Sequence, residues 1–320
     1  VDNLLRWGVI ATGGIADTVT GDMLRVRGSE VLAVSSRALP KAEAFAAKHG
    51  IPRAYGSTAE LLADPDVDVV YVATPHGQHH EVTRAALEAG KHVLCEKAFT
   101  LTVEHTQDLV DLARERGLFL MEAMWTRFTP LIRELRALVA DGAVGEVRAV
   151  HADFGYAHEY DPAHRLWDVA AGGGAILDLG VYPVSFAHML LGEPAFISAH
   201  GSLAPNGVDA DAGLLLGYPN GAHALLTCSL RATSAVKAAV VGTKGRIEIP
   251  EPFYNPSLIV VNGQEHRAEI EGAGYVPQLQ EVVDRIVAGD TESPEMPLAD
   301  TLAVMRTLCT ALDQLGVRYS

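Results

Sequence analysis

The residue types best suited to chemistry sit where short apolar runs end. Ala11-Thr12-Gly13-Gly14-Ile15-Ala16 closes the first run. It matches G-x-G-x-x-G/A at Gly13 and Ala16, with Ala11 in the first glycine's place. A glycine at the second position lets the backbone approach a pyrophosphate, whose charge then rests at a helix N-terminus. A tight strand-to-helix turn without a ligand would carry the same glycines, but its place on the first strand of an alternating pattern favours cofactor binding. The second run ends at Ser35-Ser36-Arg37. An NAD-preferring site usually has an acid there for the ribose 2′-hydroxyl, whereas a hydroxyl and a guanidinium suit a 2′-phosphate. Ser36 and Arg37 therefore point to NADP(H) rather than NAD(H), against the plain reading of a solvated arginine.

The third run ends at Thr74-Pro75-His76-Gly77-Gln78-His79-His80. A metal site is one reading, but the nearest carboxylate is Glu81 on a presumed helix, and zinc sites show fuller ligand sets. No metal is expected, and Thr74, Pro75, His76 and His79 are expected to line a cofactor cleft. The next run ends at Cys95-Glu96-Lys97, where the lysine is either solvated or set over the nicotinamide ribose and the reacting oxygen. Trp125 and Arg127 follow the last run of this half. They border the nicotinamide, or else Trp125 is a buried residue at a domain junction. Farther on, Gly172-Gly173-Gly174 precedes a helix on which Asp178 and Tyr182 lie four apart, on one face. A glycine hinge before a core helix with a hydrogen-bonded tyrosine fits that stretch equally.

Elements that place these residues alternate over the first 125 positions. Strands are expected at Trp7–Ala11, Glu30–Ser35, about Tyr55, 67–74, 91–97 and 118–124. Helices are expected between them, including Leu39–Gly50 closed by its glycine and one near 57–64 capped by Ser57 or Thr58. That rhythm predicts a parallel sheet covered on both faces. After Thr126 a helix ending at glycine is followed by runs at 146–156, 196–204, 211–219, 221–230, 237–243 and 245–250, broken by one helix after the glycine run. Turn signals such as Pro219-Asn220-Gly221 make this an antiparallel sheet. Two helices, near 276–289 and 298–316, end the chain. The expected fold is α/β: a Rossmann doubly wound domain over 1–125, then an α/β domain over 126–320 with a large, mostly antiparallel sheet.

Composition excludes several classes. A net charge of −15 disfavours nucleic acid, though not an anionic cofactor in a local positive pocket. Apolar, aromatic and charged fractions of 48%, 6% and 20% are those of a globular chain. Cys95, Cys228 and Cys309 are scattered and odd in number, which fits a reducing cytoplasm. The opening lacks the pattern of a signal peptide, and no apolar run approaches the roughly 20 residues of a membrane span. A cytoplasmic enzyme is expected.

Taken together, the stretches ATGGIA, SSRALPKAEAFA, YVATPHGQHHE, HVLCEKAFTLT, EAMWTRFTP, GGGAILDLGVYPV and VVGTKGRIEI resemble the Gfo/Idh/MocA oxidoreductase family over almost the whole chain. Within it, MEAMWTRFTP and GGGAILDLGVYPV are most similar to the branch of dimeric dihydrodiol dehydrogenases and NADP-dependent D-xylose 1-dehydrogenases. The resemblance implies a substrate-binding second domain whose sheet joins copies into a homodimer or larger homo-oligomer. It maps the family's Glu-Lys-Pro motif to Glu96-Lys97-Ala98, with the proline lost. It maps a later acid to Asp178 and the acid/base residue to Tyr182, where many relatives have histidine. Phe154, His158, Arg165 and Trp167 are further candidates for a substrate pocket.

On that mapping Tyr182 accepts a proton from a substrate hydroxyl, and Lys97 donates to the developing alkoxide. A free tyrosine titrates near about 10, and neighbouring positive charge lowers that value. Asp178 orients Lys97 or a substrate hydroxyl. The implied substrate is an aldose or a cyclic trans-diol. Alternatives are a carbonyl reductase of the same fold, an NADP-binding sensor, and a cofactor-recycling enzyme.

Overall fold

The computed structural model describes residues 4–319. Its first part alternates β1 (Leu5–Ile10), α1 (Gly14–Met23), β2 (Ser29–Ser35), α2 (Leu39–His49), β3 (Arg53–Tyr55), α3 (Thr58–Leu62), β4 (Val69–Val72), α4 (His79–Glu88), β5 (His92–Glu96), α5 (Val103–Arg116) and β6 (Leu120–Ala123). The six strands are all parallel, in the order β3-β2-β1-β4-β5-β6. Every residue of β4 is buried, as a strand covered on both faces requires. Local signals set the element ends. Gly50 closes α2 at φ +69, and Ser57 Oγ accepts the Glu60 N–H at the start of α3. Strand order reverses between β1 and β4, and open parallel sheets take ligands outside the carboxyl ends at such a point.

The later elements are α6 (Pro130–Ala140), β7 (Val147–Gly155), a π-helical turn (Ile176–Gly180) running into α7 (Val181–Leu191), β8 (Phe196–Leu203), β9 (Asp209–Gly217), β10 (His223–Ser229), β11 (Ala238–Gly242), β12 (Gly245–Ile249), β13 (Leu258–Val261), β14 (Gln264–Arg267), α8 (Val276–Ala288) and α9 (Leu298–Leu315). Eight strands form one sheet, β14-β13-β12-β11-β7-β10-β9-β8. All neighbours are antiparallel except β7 and β10, which run parallel across the α7 crossover. In β10, Ala224, Leu226 and Cys228 are buried while His223, Leu225 and Thr227 are exposed, so one face is packed and the other open. The packed face meets the π turn closely: a Cβ on Gly180 would lie 3.0 Å from Cys228 Sγ.

Two features depart from the sequence reading. The β13–β14 hairpin was not expected, although Asn262-Gly263 after an apolar run is a strong hairpin signal. Both residues have positive φ, +51 and +86, as a two-residue primed turn requires. The second departure concerns domain limits. The chain packs as two compact units: the first runs up to Thr100 and adds Glu104–Trp125 and Glu271–Leu298, and the second holds Leu101–Val103, Thr126–Ile270 and the residues from Ala299. Residues 271–298 thus return to the first unit rather than staying with 126–320. Buried Asp22 of α1 accepts the N–H groups of Ala273 and Tyr275 at 3.0 and 2.9 Å. Tyr275 stacks on Trp125 with ring centroids 4.3 Å apart. Such long-range pairings leave no periodic trace in the chain. Among the described residues no helix is long and apolar enough to cross a membrane.

Candidate active site

Gly13 caps α1, and the first amide with an intrahelical acceptor is that of Asp17, bonded to Gly13 O at 3.0 Å. The amides of Gly14, Ile15 and Ala16 belong to the unsatisfied first turn. Gly13 and Gly14 are exposed, and a Cβ on either would meet nothing within 4 Å, so the space before this turn is open. Asp17 would oppose an anion there, but Lys48 and His49 hold its carboxylate at 2.6 and 2.8 Å and keep it below the usual carboxylate range. At the carboxyl ends of β2 and β4, Ser35 Oγ and Thr74 Oγ1 are buried without a hydrogen-bond partner. Beyond Ser36, Arg37 is exposed and makes no ion pair among the described residues. An open glycine turn, orphan amides and uncommitted hydroxyls fit a dinucleotide.

Ala11 keeps the conformation of the glycine it replaces, with φ +93. An alanine there is strained, so Ala11→Gly is expected to stabilise the protein by about 1 kcal/mol, the relief of strain exceeding the entropy glycine loses. Thermal unfolding followed by circular dichroism checks this through a melting point raised by about 2 °C.

Thr74, Pro75 and His76 follow β4, Glu96 ends β5 and Lys97 follows it, all at the same carboxyl edge. Glu96 is buried: its Oε1 accepts the Tyr71 hydroxyl at 2.6 Å and its Oε2 the Lys97 N–H at 3.3 Å. His76 Nε2 lies 3.1 Å from Lys97 O. Fully buried His79 has Nδ1 2.9 Å from Ala98 O and Nε2 2.8 Å from Thr74 O. Burial holds His79 below the usual histidine range, against carbonyls that favour its charged form. The Lys97–Ala98 peptide is cis. Glu96 and His79, expected to line the cofactor cleft, brace the loop at its edge, because buried polar groups must find partners and theirs include Tyr71 and the backbone. Half-buried Lys97 sits on the loop they brace.

In the second unit Asp178 lies in the π turn and Tyr182 at the start of α7. Asp178 Oδ1 accepts Arg165 Nη1 at 3.0 Å. Tyr182 is 8% exposed, with its ring 5.4 Å from Phe154 and 5.5 Å from Tyr254. Phe154 and Tyr254 stack at 4.9 Å. Tyr254 escaped the sequence reading; its only signal is an aromatic pair, Phe253-Tyr254, between Pro252 and Pro256. Trp167 is buried and donates from Nε1 to Glu159 O at 2.9 Å, while the His158 and His164 rings stack at 4.2 Å.

Arg127, expected to border the nicotinamide, has structural partners in the second unit. It is 2% exposed and donates to Asp300 at 2.6 Å and to Ser185 Oγ at 3.2 Å, joining α9 and α7. A buried guanidinium needs such an anion. Trp125 is 5% exposed and lies against Tyr275. Among the described residues no group of His, Cys, Asp and Glu is placed to hold a metal ion. His80 instead pairs with Asp108 at 2.7 Å and stacks on His105.

A model of an oxidoreductase family's NAD-binding Rossmann fold matches residues 5–124, and one of the GFO/IDH/MocA C-terminal domain matches residues 132–248. The trans-1,2-dihydrobenzene-1,2-diol dehydrogenase of Xenopus tropicalis is 39% identical, over 98% of this chain and 99% of its own. An aldose-aldose oxidoreductase from Caulobacter crescentus, complexed with glycerol, superposes with a TM-score of 0.87 at 27% identity, covering 98% of both chains. A 3-ketoreductase from Actinomadura kijaniata, in complex with NADP and TDP-benzene, gives 0.85 at 27% identity, again over 98% of both. With both halves matched and a relative this similar from end to end, the chain belongs to the GFO/IDH/MocA family of nicotinamide-dependent oxidoreductases.

Proposed function

We propose that this protein is an NADP(H)-dependent dehydrogenase of small trans-diols or aldoses, with Lys97 and Tyr182 as its catalytic residues. The observation that carries the reading is the bracing of Lys97. Its N–H and C=O are both held, by Glu96 and His76, at the sheet edge that also carries the open glycine turn. A surface lysine of no function needs no such support. Likeness to a diol dehydrogenase over the full length supports the substrate class.

A bound nicotinamide supplies the two-electron acceptor for the carbon being oxidised. Tyr182 takes the proton of the substrate hydroxyl through its phenolic oxygen and returns it in reduction. Lys97 donates from Nζ to the substrate oxygen as its charge grows. Phe154 and Tyr254 fix the Tyr182 ring, so its hydroxyl is oriented before substrate arrives. Asp178, paired with Arg165, orients a second substrate hydroxyl through the free donors of that guanidinium.

The cofactor preference rests on Ser36 and Arg37. The decisive assay follows NADPH absorbance with trans-1,2-dihydrobenzene-1,2-diol and with aldoses, then repeats each with NAD. Reduction of NADP by one substrate class is expected; silence across both, with NADPH still bound, would count against the reading. Arg37→Ala should weaken NADP(H) about 10- to 100-fold, the worth of a charge-assisted contact, and NAD(H) by less than about threefold. Equal losses would remove the 2′-phosphate role.

Two further parts of the reading concern assembly and compartment. The open face of the eight-stranded sheet presents Leu215 and Leu225, 39% and 48% exposed, which supports pairing with a second copy. Scattered cysteines, with Cys95 and Cys228 buried, support a reducing cytoplasm.

A further inference from the structure

On the catalytic reading of Tyr182, we infer that Asp209 and Tyr319 are positioning residues that clamp the glycine turn leading into Asp178 and Tyr182. The π turn begins at Ile176 after Ala175, whose side chain offers no cap. Its amides are served from a distance. Asp209, fully buried at the start of β9, accepts the Ile176 N–H through Oδ2 at 2.6 Å and faces the Ala175 N–H. Asp209 Oδ1 has no hydrogen-bond partner and lies against Gly174. Gly174 has φ +127, and a Cβ there would overlap that oxygen, so glycine is required on two counts.

The preceding residue is held from two further sides. The Tyr319 hydroxyl donates to Gly173 O. A Cβ on Gly173 would lie 2.7 Å from Leu166 O and 2.8 Å from Arg165 O, while the Gly174 N–H donates to Leu166 O at 2.8 Å. Arg165 is the partner of Asp178. One glycine turn is thus gripped by a carboxylate, the C-terminal segment and the loop that serves the acid. Every grip sits at the root of the turn and helix that carry Asp178 and Tyr182.

Stability alone does not account for Asp209. Burial pushes its carboxyl up to about 6. The groups facing it are Asp211 on the same strand, Cys228 on β10 and Tyr319, and none is cationic. A carboxyl raised in the folded state binds its proton more readily there than in the unfolded chain. The folded state is therefore favoured as pH falls from about 6 toward the ordinary value of 3.8, and the ionised form weakens folding above about 6. The ionised form accepts through Oδ2 with Oδ1 bare against Gly174, so a proton added to the carboxyl alters the contact at the root of the turn. Such a group trades stability for placement.

The test uses the full chain, NADP and trans-1,2-dihydrobenzene-1,2-diol. Asp209→Asn is expected to lower kcat about 10- to 100-fold, the scale of a misplaced reacting group, with KM for NADP within about twofold. Its melting temperature at about pH 8 should equal or exceed the parent's, because a buried charge is gone. The parent's kcat should fall on the acid side near pH 6, the value for Asp209, and this limb should be missing in Asp209→Asn. Tyr319→Phe should lower kcat about 3- to 10-fold and keep the limb, the scale of one hydrogen bond. A kcat within about twofold of the parent in both variants overturns the inference, as does an acid limb that persists in Asp209→Asn. Should Asp209→Asn fail to fold, kcat of Tyr319→Phe decides. If Tyr182→Phe is inactive while both variants run at the parent's rate, only this inference falls. Full turnover in Tyr182→Phe removes the catalytic reading and the inference with it.

Discussion

Tyr182→Phe is expected to lose about 10³-fold in kcat while binding NADPH as the parent does. General acid–base groups contribute on the order of 10² to 10⁴, and the phenol is the only proton acceptor assigned to the substrate hydroxyl. The substitution is conservative in packing. The ring stays between Phe154 and Tyr254, and a hydroxyl rather than a buried carbon is removed. Loss of turnover therefore reads as lost chemistry, and an unchanged melting temperature confirms it. NADPH affinity, followed by fluorescence, should stay within about twofold, since the dinucleotide features lie in the first unit. A kcat within about tenfold of the parent would transfer the proton to another group.

Lys97→Ala is expected to cost about 10³-fold or more. Loss of one donor to a developing oxyanion typically costs about 10² to 10³, and on the proposed role a lysine brings a full positive charge to that oxygen as well. The loop should survive the change. Its grips are on the backbone, at the Lys97 N–H, Lys97 O and Ala98 O, and none needs the ammonium. Near-normal turnover in Lys97→Ala would end its assignment. Lys97→Arg should not restore the parent's rate, since a planar fork cannot reproduce a compact point donor.

The Rossmann half was readable because its signals are local. β1, β2, β4 and β5 are apolar runs of four to seven residues with a glycine, serine or proline nearby, and their carboxyl ends are where such a sheet takes ligands. Ala11 was readable as a departure from the fingerprint, but not as a residue held at φ +93, which only coordinates reveal. His79 and Glu96 were placed at the right edge, but their bonds to the loop were not foreseen. Sequence order shows which loop a side chain is on and not whether it turns outward to a ligand or inward to a carbonyl. Arg127 follows the same logic: its partner Asp300 is 173 residues away. In the second unit the sheet was foreseen from successive runs and turn signals, yet Asp209 had no signal at all. An acid at the start of a strand is ordinary until Ile176 arrives beside it. The Asn262-Gly263 hairpin was legible and overlooked.

The return of residues 271–298 to the first unit bears on how the protein is made. Synthesis runs from the N-terminus, so all of β1 to β6 leaves the ribosome before Asp22 meets Ala273 and Tyr275. Until then α1 ends in a buried-type carboxylate with no amides to accept, and Trp125 waits for the ring that covers it. The nucleotide-binding unit is thus completed late, after the strands of the eight-stranded sheet have been translated. A nascent chain stalled at residue 270 should expose Trp125 and bind dinucleotide poorly. For this chain, the first unit begun is finished only by a segment made near the end.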